Sequence, residues 1–255
     1  MTDQLSVALV QHASSLDPAE NRWALGELTP DGLDLVVFPE VFARDFGEAG
    51  SDVAAFAESL NGPFASTVDA VAAERGTTVV AGMFETSDDP ARPFNTLVVR
   101  GAVDASYRKI HLYDSFGFRE SDRLAPGPVE PTLVDLAGFR VGLMTCYDLR
   151  FPELARALVD RGAEVLVVPA AWVAGERKVE HWRTLVRARA IENTAFVVAV
   201  GQPGPRYTGH SMVVDPWGDV LAEAGTGAEV LVATLDREVL ATARGTNPSL
   251  ANRRL

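Results

Sequence analysis

The sequence Val141-Gly-Leu-Met-Thr-Cys-Tyr-Asp-Leu-Arg-Phe-Pro-Glu153 contains Cys146, the only cysteine among 255 residues. The apolar run from Phe139 to Thr145 predicts a buried strand that ends at this cysteine. Asp148 is expected to cap a helix that continues to Arg161. Cys146 would then lie on a sharp strand-to-helix turn facing a helix N-terminus, which predicts a lowered thiol pKa. A lone cysteine is also commonly a small buried apolar residue, so both interpretations remain open at this point.

The composition is that of a globular protein, with 47% hydrophobic and 23% charged residues. We expect a single domain over residues 1–255, without a membrane-spanning segment or a secretion signal, and therefore a cytoplasmic location. One cysteine excludes an intrachain disulfide and a cysteine-rich metal centre. The net charge of −12 argues against general binding to nucleic acid or to a membrane surface.

The periodicity of apolar residues predicts strands that alternate with helices. Strands are expected at 6–10, 33–39, 77–84, 95–100, 105–110, 132–136, 139–145, 164–168, 195–200, 211–215 and 229–235, with a late hairpin around 216–218. Helices are expected at 17–28, within 51–75, after Cys146, at 176–193 and after Asp236, whereas 115–128 reads as a loop. This order indicates a mixed α/β protein with a pair of sheets covered by helices.

Three predicted strands end at or beside polar residues that an apolar core would not select: Glu40, Lys109 and Cys146. If these strand ends converge, a carboxylate, an ammonium and a thiol share one pocket. The carboxylate can take the thiol proton, the thiolate can attack an amide carbon, and the ammonium with the backbone N–H of Tyr147 can hold the oxyanion. Hydrolysis of an amide C–N bond would follow.

Each of these residues also has a structural interpretation. Glu40 could cap a helix, and Lys109 could be a surface lysine whose aliphatic stem packs on apolar neighbours. Only two of the 23 basic residues are lysines, Lys109 and Lys178, so each can have a local reason for being lysine and not arginine.

The segments Phe38-Pro-Glu40, Tyr107-Arg-Lys-Ile-His-Leu112 and Cys146-Tyr-Asp-Leu-Arg-Phe-Pro-Glu153 resemble the three signature segments of the nitrilase superfamily, the carbon–nitrogen hydrolases. Their order and separations match over essentially the whole chain. The resemblance implies a four-layer α-β-β-α sandwich that pairs into a homodimer or a larger homo-oligomer. It also implies a cofactor-free and metal-free enzyme with Glu40 as general base and acid, Lys109 as oxyanion stabiliser, Cys146 as nucleophile and Glu120 as a second glutamate of the site.

Within this superfamily the chain is similar to the branch of deaminated glutathione amidase and ω-amidase. The similarity lies in His181-Trp182, Ala188-Arg-Ala-Ile-Glu192 and Gly209-His-Ser-Met-Val-Val-Asp-Pro-Trp-Gly218. It implies a small aliphatic amide as substrate, with deaminated glutathione ahead of 2-oxoglutaramate. Another amide, a nitrile or an N-carbamoyl amine remains an alternative, as does a non-catalytic scaffold of the same fold.

Four further residues are candidates for binding the substrate. Phe116 and Arg119 lie on the Ser115–Ser121 loop, where both could close the site and Arg119 could meet a substrate carboxylate. Trp172 is interpreted either as a partly buried aromatic residue or as pocket lining. Among the four histidines, His181 is the candidate for the pocket rim. No pair of histidines has the local spacing of a metal site.

Overall fold

The computed structural model describes residues 3–48 and 50–254, and this part of the chain forms fourteen strands and five α-helices. The strands are β1 (Gln4–Gln11), β2 (Leu35–Val37), β3 (Thr78–Glu85), β4 (Phe94–Arg100), β5 (Ala105–Arg108), β6 (Asp114–Ser115), β7 (Phe118–Arg119), β8 (Leu133–Leu136), β9 (Phe139–Leu143), β10 (Val165–Ala170), β11 (Phe196–Gly201), β12 (Met212–Val214), β13 (Val220–Glu223) and β14 (Glu229–Asp236). The helices are α1 (Pro18–Leu28), α2 (Pro63–Arg75), α3 (Pro152–Asp160), α4 (Lys178–Asn193) and α5 (Arg237–Thr246).

Twelve of the strands form two six-stranded sheets. The first has the order β14-β1-β2-β3-β4-β5, and the second has the order β13-β12-β11-β10-β9-β8. Helix α2 packs on β3 and β4 with α1 beside it, while α3 and α4 pack on the second sheet. The prediction of a four-layer α-β-β-α sandwich is therefore confirmed.

The alternation of side chains along the strands explains why the two sheets stack. In β1, Val7 and Leu9 belong to the same buried cluster as Val167 of the second sheet. Ala8 and Val10 belong to a separate cluster that includes Phe64 of α2. Because successive strand residues point to opposite faces, an uninterrupted apolar run buries one face against the other sheet and one face against helices.

The segment around the cysteine departs from the sequence prediction. Residues Cys146–Arg150 form a 3-10 helix, and α3 begins only at Pro152, so Asp148 does not cap α3. The proline explains the break, since it disfavours helical geometry at Phe151 and is favoured at the first position of a new helix. Asp148 instead completes a capping box with Thr145.

The predicted loop 115–128 contains more structure than expected. Strands β6 and β7 pair as a short hairpin, and a 3-10 turn follows at Glu120–Asp122. Two-residue strands are too short to show a periodic apolar pattern, which is why the sequence reads as a loop. Across residues 3–48 and 50–254, no helix combines the length and the apolar character that crossing a bilayer requires.

Candidate active site

The carboxyl ends of β1, β2, β3 and β5 all lie at the same end of the first sheet. Strand β2 is parallel to β1 and β3, and β5 has the same direction because β4 runs antiparallel to both β3 and β5. Glu40 follows β2 and Lys109 follows β5, so both start from this end. Cys146 follows β9 of the other sheet. The three strand ends are thus not neighbours in one sheet; they meet across the space between the two sheets.

Glu40 lies on a tight turn that presses against β3. Val41 has φ of 48°, in the left-handed region, and its backbone passes over Gly82 of β3. A Cβ at Gly82 would come within 2.2 Å of the Val41 nitrogen and 2.9 Å of the Glu40 Cα. Glycine is therefore required at position 82 for Glu40 to reach its place.

Glu40, Lys109 and Glu120 form one buried cluster, and each of them is at most 2% exposed. Lys109 Nζ lies 2.9 Å from Glu40 Oε1 and 2.9 Å from Glu120 Oε2. The other oxygen of Glu120 is 3.1 Å from the same nitrogen. The lysine is thus clamped between two carboxyl groups, and its position is fixed by three hydrogen bonds.

The ionisation of this cluster follows from burial and charge. Burial by itself would lower the pKa of Lys109, but the charges of Glu120 and Glu40 outweigh it and hold that pKa well above its usual value. Burial raises the pKa of Glu120, and the charge of Lys109 opposes the increase. Lys109 therefore remains a cation at neutral pH and is available to stabilise negative charge.

Cys146 lies beside this cluster on a strained turn. Its φ is 46°, and the residue is 7% exposed. A non-glycine residue in the left-handed region costs on the order of 1–3 kcal/mol, and the surrounding structure must hold it there. Tyr147 is the second residue of the 3-10 helix, and N–H groups in a first helical turn have no partner within the helix.

The expected lowering of the thiol pKa is wrong. Burial and the charge of Glu40 raise the pKa of Cys146 well above its usual value, and the opposing effect of Lys109 is smaller. The helix N-terminus, from which the lowered pKa was predicted, acts only through partial charges. Desolvation and a full carboxylate charge outweigh it, so the resting thiol is protonated with a base beside it.

This protonation state predicts how alkylation of Cys146 depends on pH. Since the thiolate is the reactive form, the rate with iodoacetamide should keep increasing over about pH 7 to 10 and should not reach a plateau near neutrality. The unfolded chain in denaturant is the control, because its thiol has an ordinary pKa. A folded-state rate that is already constant above pH 7 would contradict the raised pKa.

A cavity of about 330 Å³ opens onto Cys146, and Glu40, Lys109 and Glu120 line it as well. This volume is within the range of sites for small molecules. Phe116 and Trp172, both predicted as binding residues, also line the cavity. Phe116 is 70% exposed at its mouth, whereas Trp172 is 4% exposed.

The other two predicted binding residues do not line the cavity. Arg119 is exposed and forms an ion pair with Asp122 at 3.5 Å. His181 is half-buried, with its Nδ1 3.3 Å from Arg150 Nη2. The structure thus brings together the four candidate catalytic residues and two of the four candidate binding residues.

Comparison with known proteins identifies the family. The carbon–nitrogen hydrolase family matches residues 6–245. The chain belongs to the carbon–nitrogen hydrolase family. This confirms the resemblance to the nitrilase superfamily, and the chain is a hydrolase that acts on C–N bonds other than peptide bonds.

Individual relatives of this hydrolase align with nearly its whole chain. A hydrolase of Mycobacterium tuberculosis is 42% identical over 263 residues, which cover 94% of this chain and 92% of the relative. Deaminated glutathione amidase of Escherichia coli is 39% identical over 233 residues, covering 90% and 88%. The crystal structure of a CN-hydrolase superfamily protein from Xanthomonas campestris, with an arsenic adduct in its active site, has a TM-score of 0.89 at 31% identity and covers 100% and 98%.

Two hydrogen-bond partners of Glu40 in this carbon–nitrogen hydrolase were not predicted from the sequence. Asn95 Nδ2 donates to Glu40 Oε1 at 2.7 Å, and the backbone N–H of Ala171 donates to Oε2 at 2.6 Å. Asn95 is near the start of β4, which runs antiparallel and therefore begins at the end of the sheet where β2 and β5 terminate. A polar residue at the start of a mostly apolar strand was the available signal.

Asp148 connects the two halves of the site, and it is completely buried. One carboxylate oxygen accepts from the Tyr107 hydroxyl at 2.6 Å and from the Thr145 N–H at 2.8 Å. The other accepts from the His111 N–H at 3.1 Å and lies 2.7 Å from its Nδ1. Tyr107 and His111 flank Lys109, so Asp148 ties the lysine segment to the cysteine turn.

We expect Asp148→Asn to lower both stability and activity. An amide offers one acceptor oxygen where the carboxylate offers two, so at least one buried donor loses its partner, at a cost of about 1–3 kcal/mol. The free energy of unfolding in urea measures the loss. Asp122→Asn, at an exposed position outside this network, is the control. Unchanged unfolding of Asp148→Asn would contradict the connecting role.

Proposed function

We propose that this hydrolase is a thiol amidase that hydrolyses the C–N bond of a small aliphatic carboxamide through a cysteine thioester, releasing ammonia from a primary amide and an amine from a substituted one. The observation that carries the proposal is the meeting of Cys146, Glu40 and Lys109 in one buried cavity. A nucleophile, a base and a fixed cation are the groups that amide hydrolysis through a thioester needs. No cofactor enters the proposed steps.

The first half-reaction forms the thioester. Glu40 takes the proton of the Cys146 thiol while sulfur attacks the amide carbon, and the C=O electron pair moves onto oxygen. Lys109 and the backbone N–H of Tyr147 stabilise that oxyanion. When the tetrahedral intermediate collapses, the C–N bond breaks and Glu40 gives its proton to nitrogen, so that ammonia leaves from a primary amide and cysteinylglycine leaves from deaminated glutathione. The raised pKa of Cys146 suits this order, since deprotonation accompanies attack.

The second half-reaction opens the thioester with water. Glu40 takes a proton from water as its oxygen attacks the acyl carbon, and the same oxyanion donors are used again. The C–S bond then breaks, the carboxylic acid leaves, and the proton returns from Glu40 to sulfur. Glu120 holds Lys109 in place by accepting two of its hydrogen bonds. The backbone N–H of Tyr113 donates to Glu120 at 2.6 Å and fixes that carboxyl group in turn.

We propose deaminated glutathione as the substrate. Two observations support this choice: the similarity to the deaminated glutathione amidase of Escherichia coli, and the motif from Gly209 to Gly218. An ω-amidase acting on 2-oxoglutaramate is the second candidate, because it would form the same acyl-enzyme with ammonia in place of cysteinylglycine as the leaving group. A nitrile, an N-carbamoyl amine and a non-catalytic scaffold are separate outcomes of the test below.

Product release from a panel of compounds tests the proposal, with Cys146→Ala as the control. Cysteinylglycine is measured for deaminated glutathione, and ammonia is measured for the other compounds. The panel contains deaminated glutathione, 2-oxoglutaramate, glutamine, an aliphatic amide, an aliphatic nitrile and an N-carbamoyl amino acid. Fast hydrolysis of deaminated glutathione that the variant lacks is the expected result. Preference for 2-oxoglutaramate would change only the substrate, and carbon dioxide formed with ammonia would indicate N-carbamoyl cleavage. Complete inactivity with an unreactive thiol would favour the scaffold.

We also propose that residues 1–255 form a single domain, that the enzyme is cytoplasmic and that it is a homodimer or larger homo-oligomer. Apolar side chains exposed on β13 and β14, among them Leu221, Val230 and Val232, support an interface with a second copy. Sedimentation equilibrium tests the assembly, and a concentration-independent monomer mass would contradict it.

A further inference from the structure

The cavity contains four cationic side chains, and two of them are neutralised by carboxylates. Its lining includes Lys109, Arg123, Lys178 and Arg206. Lys109 is held by two glutamates, as described above. Arg206 forms an ion pair with Asp45 at 3.1 Å. Arg123 and Lys178 remain, and neither has a carboxylate oxygen within 4.0 Å among residues 3–48 and 50–254.

Lys178 is buried against aromatic rings, and its residue exposure is 9%. Its Nζ donates to the Tyr113 hydroxyl at 3.0 Å and lies 4.1 Å from the centre of the Phe116 ring. An ammonium group has three donors, and a hydroxyl satisfies only one of them. A buried cation without an anion is costly, so a cavity that keeps one is prepared for an anionic ligand.

The position of Lys178 in its helix adds to this cost. It is the first residue of α4, where the helix dipole repels cations and attracts anions. Burial and the nearby Arg150 lower the pKa of Lys178, while the Cys146 thiolate would raise it. A substrate carboxylate at Nζ would offset both the repulsion between Lys178 and Arg150 and the repulsion between Lys178 and the helix dipole.

The competing cations fit this role less well. Arg123 donates to the Phe46 carbonyl at 3.4 Å. Burial and the charge of Arg44 lower the pKa of Arg123, but the charges of Glu120 and Asp52 oppose them, so two carboxylates already act on this cation. Arg119, the residue predicted from the sequence to meet a carboxylate, lies outside the cavity lining and pairs with Asp122. Lys178 is on the aromatic wall with Phe116 and Trp172, close enough to Cys146 for the thiolate to act on its pKa.

We propose that Lys178 binds a carboxylate of the substrate, so that the enzyme prefers monoamides of dicarboxylic acids to neutral amides of the same shape. The proposal rests on the amidase function proposed above. It makes Lys178, and not Arg119, the residue that selects an anionic substrate.

Steady-state kinetics with two amides of equal size tests this preference. Glutaramate carries a carboxylate at the end distant from the amide, and 5-methylhexanamide carries an uncharged isopropyl group there. For Lys178→Met we expect kcat/KM on glutaramate to fall by about 10- to 100-fold, mainly through KM, because a charge-assisted hydrogen bond is lost. The value for 5-methylhexanamide should change by less than about threefold, and Lys178→Arg should restore part of the loss.

A second measurement does not depend on turnover. Since Cys146 is the only cysteine, its alkylation rates with iodoacetate and with iodoacetamide compare an anion with a neutral reagent at the same sulfur. The ratio cancels any change in the thiolate fraction. We expect Lys178→Met to reduce the ratio of iodoacetate to iodoacetamide by about 3- to 10-fold, because a nearby positive charge is removed. Arg177→Met removes the same charge from an exposed neighbour and should leave the ratio unchanged.

The outcomes separate this proposal from the amidase function. If the wild type hydrolyses glutaramate and Lys178→Met affects neither amide, the role of Lys178 is overturned while the amidase stands. A selective loss in Arg123→Met in place of Lys178→Met would also overturn it. If the wild type hydrolyses neither amide but Lys178→Met lowers the alkylation ratio, the anion site stands and the proposed function fails for these substrates. An unchanged ratio overturns the anion site.

Discussion

Cys146→Ala is expected to abolish amide hydrolysis while the protein stays folded. No other residue of the chain can form the thioester, since Cys146 is the only cysteine. The substitution removes one small buried group from a strained position, so the free energy of unfolding should change by no more than about 1–2 kcal/mol. Turnover and urea unfolding measure the two effects.

Cys146→Ser is the closer control for geometry. It keeps a hydroxyl in place of the thiol, but we expect at least about a 10³-fold loss of kcat, because a carboxylate is too weak a base to activate an alcohol. Iodoacetamide should label the wild type once per chain and label neither variant. Wild-type-like turnover in either variant would rule out Cys146 as the nucleophile.

Lys109→Met is the second substitution with a large expected effect, and it acts on both activity and stability. Loss of the cationic oxyanion donor should reduce kcat by about 10²–10³-fold. The same change leaves Glu40 and Glu120 buried without their shared cation, and breaking such a pair costs about 3–5 kcal/mol. Turnover and the free energy of unfolding should therefore both fall.

A double variant separates these two consequences. In Lys109→Met/Glu120→Gln one buried carboxyl group is replaced by a neutral amide, so part of the stability should return. Activity should not return, because the oxyanion donor is still missing. If stability and activity recovered together, the loss in the single variant would reflect misfolding of the site. A stable and active Lys109→Met would contradict the oxyanion role.

Much of the architecture could be predicted because it depends on local pattern. The strand ends at Glu40 and Cys146 were visible as apolar runs followed by polar residues, and Lys109 was visible as a lysine in the short predicted strand 105–110. The helix that starts at Pro18, with Asp17 as its cap, was predicted and is confirmed. The start of α3 was not predicted correctly, because Pro152 and the capping box of Asp148 divide into two what the sequence indicates as one continuous helix.

The sequence by itself determined the order of strands and helices, the family and the four polar residues that meet at the cavity. Tertiary structure alone decided their environment: the raised pKa of Cys146, the hydrogen bonds from Asn95 and the Ala171 N–H to Glu40, and the burial of Lys178 without a carboxylate. The physical reason is that apolar periodicity and turn signals act over a few residues. Desolvation and charge–charge interactions depend on groups from both sheets, which come together only when the chain has folded.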